Sequence, residues 1–115
     1  MSKYARMKSK AGGAPIPSFA SAASTVLPDE SDLLTLTGTA TITSLLGPGY
    51  TTVLPGRQVT IIGGSGATVT FTNTNSPTAA GQMYLHGQNR ISQEDDLIEL
   101  IQKNDGSWIL KNIVA

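Results

Sequence analysis

Three places along the chain hold residues whose types and spacing could support chemistry. The first is the glycine-rich "GGSGAT" at 63–68, whose backbone N–H groups suggest a phosphate cradle. A P-loop needs a Lys-Ser/Thr pair after its glycines and a helix behind them, whereas a threonine-rich run follows here. The second is His86, beside Gly87. It is the only histidine in a chain without cysteine, so nothing completes a triad, a thiolate pair or a histidine metal cluster. A hydrogen-bonded histidine at a strand end is the expectation. The third is the trio Glu94, Asp95 and Asp96. Clustered carboxylates suit a hard cation such as Ca²⁺, but adjacent acids are also ordinary in a solvated loop or a helix start. No pair of acids lies in an apolar strand setting that would raise one pKa for general acid work. The residues therefore predict no catalytic site, no metal, no cofactor and no enzyme.

Charge is balanced overall but not along the chain. Lys3, Arg6, Lys8 and Lys10 are four of the eight cations, with Tyr4 the one aromatic among them. That is too little for stacking and phosphate contacts to read a nucleic acid; adhesion to an acidic protein surface would use the same cations. No run approaches the roughly 20 apolar residues of a membrane-spanning helix. The first residues also lack the apolar stretch of a secretory signal, so synthesis in the cytoplasm is expected.

The elements that must position these groups read as β-structure. Residues 1–28 combine the basic start with Gly-Gly, three prolines and an Ala/Ser run without periodicity, and are expected to form an extended N-terminal arm. Residues 29–115 are expected to be the folded domain. Thirteen threonines fall between Thr35 and Thr78, and those at 37, 39, 41 and 43 take every second position, which is strand and not helix spacing. "RQVTIIG", the loop "GGSGA" and "TVTFTN" predict a hairpin. "DLIELIQ" also fits a helical stripe, but "NDG" directly after it favours a strand turning into "SWILKNIVA". Strict alternation there puts Trp108, Leu110 and Val114 on one face, Ile109 and Ile113 on the other.

Six aromatic residues and no cysteine predict a thin core, and small domains that lack staples commonly complete themselves by association. The two-sided terminal strand is the expected place: Trp108, Ile109, Leu110, Ile113 and Val114 are predicted at a subunit interface. The expected fold class is all-β, a small Thr-rich sandwich, barrel or prism.

The runs "TLTGTATITSL", "PGRQVTIIGGSGATVTFTN" and "YLHGQNRISQEDDLIELIQKNDGSWILKNIV" resemble the small β domains of tailed-bacteriophage virion proteins, namely capsid decoration (cement) proteins and the heads of short trimeric fibres. The likeness covers roughly residues 33–115. It implies a homotrimer on the capsid exterior, assembled in the host cytoplasm and bound to the major capsid protein through its arm. In that reading Lys3, Arg6, Lys8 and Lys10 meet acidic patches, Tyr4 and Phe19 are apolar anchors, and Pro15 and Pro17 keep the arm extended. The absence of a long fibrous repeat favours decoration over a fibre head or adhesin that binds host glycan or protein.

Overall fold

The computed structural model describes residues 15–27, 32–46 and 53–115. Lys3, Tyr4, Arg6, Lys8 and Lys10 of the expected arm lie outside them, as does the Pro-Gly turn at 47–50. The described residues are all-β. Short runs rich in Thr, Val and Ile are cut every few residues by Gly, Pro or Asn, and each run is a strand.

Successive runs stack on one another from turn to turn of the chain. β1 (Ser18–Ala20), β3 (Leu33–Thr37) and β6 (Gln58–Gly63) pair in parallel as one wall. β2 (Ser24–Val26) and β5 (Ser44–Leu46) form a second wall, β4 (Thr41–Ile42) and β7 (Thr68–Phe71) a third, again in parallel. The chain thus winds through its walls as a short solenoid, each turn hydrogen-bonded to the one before. It then reverses. After β8 (Met83–Tyr84), β9 (Arg90–Gln93) lies antiparallel on β7 and β10 (Leu97–Gln102) antiparallel on β6. β11 (Trp108–Val114) closes a hairpin on β10 and runs parallel to β8. The first wall therefore grows into a six-stranded sheet, ordered β1-β3-β6-β10-β11-β8.

Two expectations need correction. β6 and β7 are not hairpin partners: they belong to different walls, paired with β3 and β10 and with β4 and β9 respectively. The glycines between them make a corner, closed by the Ala67 N–H donating to the Gly64 carbonyl at 3.0 Å. Gly64 is buried there, with the methyls of Thr35 and Thr37 filling the space a side chain would need. The boundary expected at residue 29 also moves. β1 and β2 are the first turn of the solenoid, and Leu27 is part of the core. Three-residue runs are too short a signal to distinguish a strand from an extended arm, and neighbouring turns supply the rest.

The interior is aliphatic. Inward positions align in columns across the walls, such as Leu34, Ile61 and Ile98, or Val59, Leu100 and Leu110. A narrow solenoid needs only one or two aliphatic side chains per wall and turn, such as Leu45 of β5 or Leu34 and Leu36 of β3, which is how a chain with few aromatics fills its core. Phe71 and Trp108 are the two fully buried aromatics among the described residues.

Candidate assembly surface

The β10–β11 hairpin decides which apolar residues face in and which face out. Its turn is set by Asp105, whose carboxylate accepts from the Ser107 hydroxyl at 2.6 Å and the Ser107 N–H at 2.9 Å. Those bonds, the hydroxyl first, hold the Asp105 pKa below its ordinary value, helped by nearby Lys103. Gly106 takes φ 86°, and Ala80 and Val53 crowd the position its Cβ would occupy; glycine is required on both counts. From this turn Trp108 enters the core, fully buried, with its indole N–H donating to the Leu45 carbonyl at 2.8 Å. One side chain thereby ties the closing hairpin to the second wall.

Alternation then breaks. Leu100 pairs with Leu110 and Glu99 with Asn112, so Lys111 is an extra residue, a β-bulge. Beyond it the faces exchange: Trp108, Leu110 and Ile113 point inward, Ile109 and Val114 outward. Of the five residues expected at a subunit contact, Trp108 and Leu110 belong to the chain's own interior, and Ile113 packs against that interior. Ile109 and Val114 remain on the surface, Val114 51% exposed.

They do not stand alone. The register of the six-stranded sheet aligns Ile62, Leu97 and Val114 in one outward row, and Ile101, Ile109 and Tyr84 in another. Between the rows lie Thr60, Glu99 and Asn112. The Asn112 amide donates to Glu99 at 3.4 Å and the Lys111 ammonium to Gln58 at 3.1 Å. The outer face of this wall is thus two partly exposed apolar rows, with a polar strip between them and a cation at the rim. The sequence signal for it was present in β10, where Leu97 and Ile101 alternate with Ile98 and Leu100, but only the register shows which strands join the rows.

The other residues expected to matter are structural in their contacts. His86 adopts φ 60°, and its Nε2 lies 2.9 Å from the Leu110 carbonyl, with its ring edge-on to Tyr84. The Glu94 carboxylate accepts from the Gly66 N–H, and that of Asp96 from the Gln93 N–H, each at 2.8 Å. The glycine corner and the acidic turn are therefore one unit, the acid occupying an amide that a phosphate would use. Among the described residues no group of three or more His, Asp or Glu side chains is placed to hold a metal ion. Of the arm, Pro15, Pro17 and Phe19 are described: Pro17 accepts a bond from the Thr35 N–H at 2.9 Å, and Phe19 pairs with Leu36.

Sequence reasoning passed over two polar centres. Arg57 is buried, its Nε donating to the Asp32 carboxylate at 2.8 Å. Asn73 is a hub: its side-chain oxygen accepts from the N–H groups of Leu85 and Gly87, and its amide donates to Asn75. Neither an isolated Arg after a Pro-Gly turn nor one Asn among several in a polar loop announces such a role.

No protein-family model matches the chain, and no curated protein matches it either.

Proposed function

We propose that the chain is a structural virion protein, a capsid decoration protein that associates as a homotrimer and stabilises a phage head shell through its N-terminal end. The observation that carries the self-association is the outward face of the six-stranded sheet. Two apolar rows on one wall, in a chain whose interior is already filled, suit a second copy of the same wall, because apolar surface removed from water contributes roughly 25 cal/mol per Å². The polar strip of Thr60, Glu99 and Asn112 would fix the register of such a contact more than its strength. Shell binding then adds its free energy to the stability of the shell by mass action. Supporting the virion setting is the resemblance of the threonine-rich turns and the Asp-Gly-Ser-Trp hairpin to virion β domains.

The test uses shells lacking the protein. Full-length chain is expected to decorate them at saturating occupancy, and a chain lacking residues 2–14 to remain folded and fail to bind. Undiminished decoration by the truncated chain would remove the arm from the account.

A second reading, a fibre head or adhesin, is favoured by one observation. The Asn73 hub holds the polar 73–75 and 85–89 segments together, and rigid polar loops commonly carry recognition. Binding of the purified protein to a glycan array or to host cells, lost in Asn73→Ala, would favour it over decoration.

A further inference from the structure

Glu99 stands in the middle of the outward face of the six-stranded sheet. In the register it lies between Thr60 of β6 and Asn112 of β11. The row Ile62, Leu97 and Val114 runs along one flank of that strip and the row Ile101, Ile109 and Tyr84 along the other. Glu99 is already half-buried. Its carboxylate accepts one hydrogen bond, from the Asn112 amide at 3.4 Å, a long contact that holds charge weakly. The other ionisable groups near this face are turned elsewhere. The Lys111 ammonium of β11 donates to Gln58, and Asp32, just before β3, is held by the buried Arg57. Tyr84 of β8 lies in the far row, edge-on to His86, whose Nε2 is at the Leu110 carbonyl. β6 brings no charge. On the turn into β10, Glu94 and Asp96 accept from backbone amides and Asp95 adopts φ 68°; Lys103 follows the strand at its other end. Among the described residues no cation pairs with Glu99.

A contact that buries both apolar rows must also bury the carboxylate between them, and copies of the same wall each bring that carboxylate to it. A charged carboxylate taken from water without a cation costs far more than its neutral acid, and like charges brought together add to the cost. The neutral carboxyl donates as well as accepts, so the Thr60 hydroxyls and Asn112 amides of the strip can satisfy it. We infer that self-association through this face is proton-linked: the contact takes up protons on Glu99. The assembled state then binds more protons than the separated chains, so association strengthens as pH falls, by up to about tenfold per pH unit for each proton taken up. The inference rests on the self-association proposed above and adds its regulation, assembly favoured in acidic surroundings and loosened in neutral ones.

The test is sedimentation equilibrium of the full chain, in buffer containing a chelator, from about pH 8 down to about pH 5, a window above the ordinary carboxylate range. The association constant is expected to rise at least tenfold across it. Glu99→Gln, which removes the charge and keeps the shape, should associate at the upper end as tightly as the wild type does at the lower end, and change little between. Glu99→Thr serves if the glutamine variant does not fold. An association constant independent of pH overturns the inference. So does one that falls as pH falls, the sign of Glu99 pairing with Lys111 across the contact. A pH dependence that survives both substitutions overturns it too, and moves the proton to His86. Association strengthened by calcium at the upper end overturns it by making a cation the partner of the carboxylates. A chain that is monomeric throughout sinks the self-association reading and this inference with it, whereas a trimer of constant strength sinks this inference alone.

Discussion

At Gly63 the backbone of β6 runs against the Gln93 carbonyl so closely that a Cβ would overlap it, while its N–H and carbonyl bond to Asp96 and Asp95. Gly63→Ala is expected to cost about 3 kcal/mol or more, seen as loss of the cooperative transition in urea, because the obstacle is backbone and cannot rotate away. Asp32 presents the complementary case. Removing this carboxylate from the buried Arg57 guanidinium should destabilise Asp32→Ala by about 1 to 3 kcal/mol, the cost of taking a charge-assisted hydrogen bond from a buried group. Asp105 gives a pH dependence whose sign follows from its lowered pKa. The folded state holds the carboxylate more readily charged than the unfolded chain does, so its contribution is complete above the ordinary carboxylate value near 4. It is lost as pH falls through the lower folded value. Stability measured between about pH 5 and 2 should fall less steeply in Asp105→Asn than in the wild type; equal slopes would remove Asp105 from that dependence.

The closing hairpin is the element on which fold and surface both depend. Trp108→Ala removes its largest buried side chain and the bond to Leu45, and a loss of about 3 to 5 kcal/mol is expected in chemical denaturation. Deleting Lys111 should do something different. It removes the extra residue and restores strict alternation with Ile113 still inward and Val114 still outward, so the variant is predicted to fold and to keep the wild-type self-association, as sedimentation would show. The same element shows what was legible beforehand. Asn104, Asp105 and Gly106 announced the turn, and β10 was readable as a strand because that turn needs a partner arm. The bulge was not readable, since an extra residue leaves no local mark and is fixed by pairing with Glu99 and Leu100. Parallel stacking was hidden for a related reason. Period two marks Val69 and Phe71 as inward whether β7 folds back on β6 or turns a corner onto β4, and only long-range pairing tells these apart. Of the expected surface residues, Ile109 and Val114 followed from apolarity on both sides of one strand, while Ile62 and Tyr84 joined them only through register.

For the molecule as a whole, the interior closes within one chain and the apolar excess lies outside, on the six-stranded sheet. In the proposed trimer, association would follow from surface burial and not from an unfinished core, which predicts subunits that stay folded when separated. Ile109→Glu combined with Val114→Glu should produce soluble monomers that retain the wild-type far-ultraviolet spectrum and a cooperative thermal transition. Sedimentation equilibrium of the full chain tests the account most directly. A mass three times that of the 12.0 kDa chain, falling to a single chain in the double variant, is the predicted result; a wild-type monomer at concentrations of about 100 μM, well above those at which stable protein interfaces assemble, would contradict it.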